Sequence, residues 1–212
     1  MKHTRQLNEV LPALCDAELF ERFLAGEKSA FTTLYHRYAA RVMGYIRSLL
    51  GAENQAGNDI FQETFLRLYR EKNRIDENRQ SSLTNVGGWL FRVARNLSLN
   101  QLRSESYLTE IPLEYTPQLV TTTSEAYPTL FGKHQEEEEL LHKALKAVEE
   151  LPISLREVFV LREVNGMSYE ETSELIGCSI EAARMRLSRA RSTIRSTLMP
   201  DTETTRNRTS RS

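Results

Sequence analysis

The chain has 212 residues, 40% hydrophobic and 27% charged, and its 28 basic and 29 acidic side chains leave a formal net charge of −1. These values sit near the averages for soluble globular proteins, which excludes bulk disorder and membrane residence as descriptions of the whole. No stretch approaches the roughly 20 apolar residues of a membrane-spanning helix, and MKHTRQLNEVLPALCDAE has no apolar core suited to a signal peptide, so a cytoplasmic location without membrane insertion is expected.

Glycine and proline fall mainly between periodic segments, and sustained apolar–polar alternation is nearly absent, so almost every ordered stretch reads as helix. In LCDAELFERFLAG, Asp16 stands as N-cap and Gly26 as the stop. The following SAFTTLYHRYAARVMGYIRSLLG places Phe31, Leu34, Tyr35, Tyr38, Val42, Tyr45, Ile46 and Leu49 on one apolar face and ends at Gly51. Two further helical patterns cover about 57–71 and 87–105. In the first, Phe61, Phe65, Leu68 and Tyr69 recur at core spacing, opposite a polar strip of Asp59, Gln62 and Glu63 with one outward leucine, Leu66. That strip suits docking on another protein's helices. In the second, Leu90, Val93, Ala94 and Leu97 turn inward and Arg92, Arg95, Asn96, Leu99 and Arg103 outward. Trp89, at its mouth, reads either as core or as a platform for a stacked base.

Residues 106–134 change character: three prolines, a threonine run and no helical period mark a linker. The helical pattern resumes with QEEEELLHKALKAVEEL, where Glu136 to Glu139 read first as a favourable charge cluster at a helix start and second as an acidic patch. Pro152 breaks this helix, and SLRE (Ser154 to Glu157) has capping-box spacing for the next one. SYEE (Ser168 to Glu171) repeats the device after Gly166 and opens a short helix that Gly177 closes, and Ser179 is placed to cap the helix after it. A short helix, a tight glycine-containing turn and a longer basic helix make the order of a helix-turn-helix. The final PDTETTRNRTSRS has almost nothing to bury and reads as a disordered tail.

Between Cys178 and Leu198 the chain concentrates Arg184, Arg186, Arg189, Arg191 and Arg195 against the single acid Glu181. Wound at about 100° per residue, Ala183, Leu187, Ala190 and Ile194 form one narrow inward stripe. Met185, Ser188, Arg189 and Ser192 lie opposite, Arg184, Arg191 and Arg195 on one flank, and Arg186 on the other. A merely solvated face mixes both signs; small residues between arginines instead allow close approach to a groove, with guanidiniums reaching phosphates and base edges.

His3, His36, His134 and His142 have no metal-ligating spacing and read as surface, and the chain carries neither a phosphate-cradling glycine loop nor a nucleophile elbow. Neither an enzyme nor a cofactor or metal site is expected. Cys15 and Cys178 permit one disulfide, with two reduced thiols the reading that suits a cytoplasmic chain.

Together DIFQETFLRLY (59–69), WLFRVARNLSLNQLR (89–103) and LPISLREVFVLREVNGMSYEETSELIGCSIEAARMRLSRAR (151–191) resemble, in order and spacing, the extracytoplasmic-function (ECF) sigma factors of bacterial RNA polymerase. The resemblance covers about residues 15–198. It implies an all-α chain of two small helical domains joined by a flexible linker: region 2 over 15–106, a linker over 107–135, region 4 over 136–198 and a tail over 199–212. It further implies that Asp59, Gln62, Glu63 and Leu66 bind the clamp helices of the polymerase's largest subunit. Trp89, Arg92, Arg95, Asn96 and Arg103 would meet the −10 element and help open it with a base flipped from the stack. Arg162, Tyr169, Arg184, Met185, Arg186, Ser188, Arg189 and Arg191 would meet the −35 element. An anti-sigma factor is the implied regulatory partner.

The chain departs from the family's pattern at several places. The stretch between Tyr69 and Trp89, which includes the loop expected to hold the flipped base, is longer than usual; Met185 stands where a small serine is common, Asn100 where aspartate is frequent, and Thr172–Ser173 where an apolar pair is typical. Two other functions compete. A free-standing helix-turn-helix regulator would need a dimer interface rather than the 59–69 strip, and a helical adaptor would not need the arginines.

Overall fold

A computed structural model describes the backbone of residues 11–78, 83–108 and 135–199 and the side chains of 11–71, 83–105 and 139–199. The chain divides into two units, Met1–Leu113 and Glu114–Ser212. Among the described residues every regular element is helical.

In the first unit a 3₁₀ turn, Leu11–Ala13, leads into α1 (Asp16–Leu24), α2 (Lys28–Leu50), α3 (Ala56–Asn78) and α4 (Val86–Leu108). α2 packs on α1, α3 and α4, α3 packs on α4, and α1 also reaches α4. The centre is made by Phe20, Phe23, Leu34, Tyr45, Ile46, Leu68, Leu90 and Phe91, all at most 2% exposed. Burial on this scale supplies roughly 1.5–3 kcal/mol for each large apolar side chain and holds the bundle together.

Asp16 is not the N-cap of α1. Cys15 occupies that position with extended backbone, and the Glu18 carboxylate accepts from the Cys15 N–H at 2.9 Å. Asp16 has a longer-range use: it accepts from Arg37 and from the Tyr38 hydroxyl, both on α2. Arg37 also donates to the carbonyls of Pro12 (3.1 Å) and Leu14 (3.0 Å), so one guanidinium ties down the chain ahead of α1. Gly51, at φ +94°, supplies the positive-φ backbone that ends α2.

The long stretch ahead of Trp89 is largely helix. α3 continues through Asn78 and α4 begins at Val86, leaving 79–82 outside the described residues. Tyr69, expected in the core, is 46% exposed; its ring packs edgewise on Phe31 and tilted on Phe23, each at 5.4 Å. Ile60 and Thr64 are buried in addition to Phe65 and Leu68.

The second unit contains α5 (Gln135–Glu149), α6 (Ile153–Phe159) running into a π-helical turn (Val160–Val164), α7 (Tyr169–Ile176) and α8 (Ile180–Leu198). α8 is its axis, packed on α5, α6 and α7. Ala147 and Leu151 meet Ala190 and Ile194, with Leu155, Phe159 and Leu198 around them. Ser154 does not cap α6: Pro152 holds the N-cap position, and Glu157, the other half of the expected box, is 3% exposed. The buried Arg156 instead joins α5 to α6 by donating to the carbonyls of Glu149 and Leu151, the latter at 2.8 Å. The Glu149 carbonyl is among those a helix end leaves unpaired.

The expected linker lies outside the described residues except at its ends, where α4 closes at Leu108 and α5 opens at Gln135. The expected tail lies outside them beyond Met199.

Candidate functional site

α7, the Gly177–Ser179 turn and α8 are set by local chemistry. The Ser168 hydroxyl accepts from the Glu171 N–H (3.0 Å) while Glu171 accepts from the Ser168 N–H (2.8 Å), which satisfies two otherwise unpaired donors at the start of α7. Gly177, at φ +76°, closes α7, and Ser179 accepts from the Ala182 N–H at 3.1 Å to open α8. Ala183, Leu187, Ala190 and Ile194 are buried along α8, and Arg184, Met185, Ser188, Arg189, Ser192 and Arg195 are exposed. Arg186 is half-buried.

Two side chains before α7 join this surface. Arg162 lies 4.1 Å above the Tyr169 ring and Arg184 lies 5.3 Å from it, so α8 and the π turn share one aromatic platform. The Glu170 carboxyl is held below its ordinary range by its own backbone N–H and the Ser168 hydroxyl, with Arg184 and Arg162 adding to the effect. Arg191 donates to Glu163 at 2.7 Å, an ion pair the sequence pattern did not reveal because 28 positions separate the partners. The π turn makes both contacts: the Asn165 N–H reaches the Val160 carbonyl (2.9 Å) five residues back, shifting the phase of residues 162–164.

On the first unit, α3 presents Asp59, Gln62 and Leu66 to solvent, Leu66 at 47% exposure. Glu63 is half-buried and accepts from Arg67 at 2.8 Å with Arg70 at 3.7 Å; the Arg67 hydrogen bond keeps its carboxyl below the usual range.

α4 opens on Asn85, whose side chain accepts from the Gly88 N–H at 2.7 Å. Trp89 is half-buried, neither core nor fully free. Arg92, Asn96 and Arg103 are exposed and Arg95 is half-buried. Val93 and Leu97, expected inside, are half-buried; Phe91 and Ser98 are buried with Leu90 and Ala94. The glycine pair before Trp89 has a packing reason: a Cβ on Gly87 would meet the Tyr38 hydroxyl at 2.6 Å and its ring at 2.9 Å. Burial, followed by the bond to Asp16, pushes the Tyr38 hydroxyl's pKa well up, so it stays protonated and donating.

His36 and His142 are exposed, and His3 and His134 lie outside the described residues. Cys15 and Cys178 are free. Among the described residues no group of three His, Cys, Asp or Glu side chains is placed to hold a metal, and no helix is long and apolar enough to cross a membrane.

Comparison with known proteins matches residues 34–107 to the family described as Sigma-70 region 2 and residues 141–194 to Sigma-70, region 4. The ECF RNA polymerase sigma-E factor of Haemophilus influenzae is 30% identical over 197 residues, which span 88% of this chain and 97% of that one. The chain belongs to the ECF sigma factors. It is an alternative sigma factor, binding core RNA polymerase and directing it to promoters for the initiation of transcription. The Escherichia coli K12 sigma-E factor is 29% identical over 192 residues (88% and 96% of the two chains), and the RNA polymerase sigma-H factor of Pseudomonas aeruginosa is 28% identical over 202 residues (87% and 94%). Two solved structures share the sigma factor's fold at 22% identity. CnrH in complex with the cytosolic domain of CnrY has a TM-score of 0.59, with 88% of this chain and 98% of that one aligned. RpoE in complex with the anti-sigma factor NepR from Bartonella quintana has a TM-score of 0.62, with 81% and 98% aligned.

Proposed function

We propose a division of the promoter-recognition work between the two units: residues 15–106 act as region 2, 107–135 as the linker, 136–198 as region 4 and 199–212 as a tail. Asp59, Gln62, Glu63 and Leu66 on α3 dock on the clamp helices of core polymerase. Trp89, Arg92, Arg95, Asn96 and Arg103 along α4 meet the −10 element, where strand opening needs a base held out of the stack and a basic path for its backbone. Arg162, Tyr169, Arg184, Met185, Arg186, Ser188, Arg189 and Arg191 meet the −35 element, with phosphate contacts setting position and base-edge contacts setting preference. The chain itself catalyses nothing and acts in the cytoplasm. An anti-sigma factor, the class of partner held by the Bartonella RpoE, controls its release to polymerase.

The outer face of α3 carries this reading. Leu66 stands exposed beside Gln62 while Ile60, Thr64, Phe65 and Leu68 fill the face beneath. A free-standing helix-turn-helix regulator has no use for such a strip and needs a dimer interface to span two half-sites. The test is core-polymerase binding and run-off transcription by the Gln62→Ala, Leu66→Ala double variant. Core affinity should fall by at least about fivefold, the loss typical of interface residues that matter, with the helical circular dichroism unchanged. Unaltered affinity would overturn the docking assignment.

A further inference from the structure

We propose that Met185 is a base-discriminating residue that reads the C5-methyl group of a thymine in the −35 element, an inference that rests on the assignment of α8 to promoter DNA. Met185 is 57% exposed, the one large apolar side chain within α8 that faces solvent; Leu187 and Ile194 are buried in the seam and Ile180 and Leu198 are half-buried. It sits near the capped start of α8, the end whose residues contact base edges in docked recognition helices. Its surroundings are mainly basic and small: Glu181, one turn back, is the single acid of the helix, while Arg184 and Arg189 are exposed beside Met185 and Ser188 stands one turn on. That charge fits a polyanion, and the short serine leaves room for close approach.

The chemistry of the thioether then selects the ligand. A major-groove floor presents donors, acceptors and one apolar group, the thymine methyl. Methionine has only a weak acceptor and no donor. Set against the edge of guanine, cytosine or adenine it would displace water from polar groups without replacing the lost hydrogen bonds, whereas against a thymine methyl it buries apolar surface on both sides. Its three rotatable bonds and polarisable sulfur let it adapt to that methyl where a branched side chain would have to fit one geometry.

The experiment uses holoenzyme assembled from core polymerase and the full chain, on a promoter whose −35 element has been selected by that holoenzyme from randomised sequence. Each −35 thymine is replaced in turn by deoxyuridine, which removes the methyl and leaves every hydrogen-bonding group. One replacement should weaken competition binding by about fourfold, the value of one buried methyl, and Met185→Ser should abolish that loss. A scan silent at every thymine, an equal loss in Met185→Ser holoenzyme, or a selected element without thymine overturns the proposal. Arg184→Ala and Arg189→Ala separate it from the reading beneath: if they leave −35-dependent binding unchanged, α8 does not face the promoter and both ideas fall. If they weaken binding while the deoxyuridine scan is silent, only the role of Met185 is lost.

Discussion

α4 and α8 are both proposed to meet promoter DNA, but they are held in different ways. α8 buries one seam of Ala183, Leu187, Ala190 and Ile194, and α5, α6 and α7 all pack on it, with Ala147, Leu151, Leu155 and Phe159 gathered at Ala190 and Ile194. Most of its circumference stays free, as a helix lying in a groove requires. α4 buries a broader arc containing Leu90, Phe91, Ala94 and Ser98, and its first turn is pinned by the Asn85 cap and by Gly87 against Tyr38. A helix that reads intact duplex needs clearance, whereas one that holds a displaced base needs a fixed footing. The sharpest contrast is at the footing of α4, and perturbing it should have the largest effect.

Gly87→Ala should destabilise the first unit by about 1–3 kcal/mol, the usual cost of adding volume to a packed site. The new Cβ would press on Tyr38, which cannot easily yield: it is 7% exposed, bonded to Asp16, and covered by Arg41 at 5.3 Å. Urea unfolding measures the loss. Because Gly87 lies in the first turn of α4, transcription from duplex promoter should fall further than transcription from a promoter pre-melted at the −10 element. Equal loss on both templates would show that Gly87 matters for stability alone.

The same contrast explains what was legible in the sequence. Winding the arginine helix recovered all four seam residues because a narrow stripe is what a helical wheel detects, and the Ser168, Gly177 and Ser179 punctuation depends only on near neighbours. The wheel set Val93 and Leu97 inward and Leu99 outward where all three are half-buried, and it left the buried Phe91 and Ser98 unplaced, because α4 is packed on more than one side, which a single-stripe reading does not allow for. Tyr69 has core spacing, yet it lies where the aromatic cluster of Phe23 and Phe31 meets solvent. Asp16 and Ser154 both look like caps. Asp16 was diverted to Arg37 and Tyr38, more than twenty positions away, and Pro152 takes the N-cap position two residues ahead of Ser154. Nothing local marks the π turn that brings Arg162 and Glu163 to the α7–α8 surface.

A smaller effect is expected beneath α8, where α7 carries the polar pair Thr172–Ser173 inside the unit. The Ser173 hydroxyl donates to the Glu170 carbonyl at 2.9 Å, but that of Thr172, at 0% exposure, has no hydrogen-bond partner among the described residues. An unpaired buried hydroxyl costs about 1–3 kcal/mol, and valine keeps the shape without it. Thr172→Val should therefore raise the stability of the full chain by about 1 kcal/mol in denaturant unfolding of the second unit, without changing −35 preference. Lower stability would reveal that the hydroxyl has a bonding role.

The smallest change tests how freely α8 offers its charge. Arg191 and Glu163 are both at the surface, with side chains 55% and 35% exposed, and a pair of this kind contributes about 0.2–1 kcal/mol to stability. Glu163→Gln should hardly alter the unfolding midpoint. Its effect on DNA should be clearer, because it removes a negative charge from the approaching surface and releases Arg191 from its intramolecular partner. If Arg191 contacts phosphate, holoenzyme affinity should rise by a similar factor, about two- to threefold, for the preferred and the scrambled −35 element, and the slope of log K against log salt should steepen by up to about 1. Competition binding at several salt concentrations separates this from base reading, which would raise affinity for the preferred element alone and leave the scrambled one unchanged. A rise confined to the preferred element would place Arg191 beside Arg189 among the reading residues; no rise on either would show that Glu163 does not compete with DNA for Arg191.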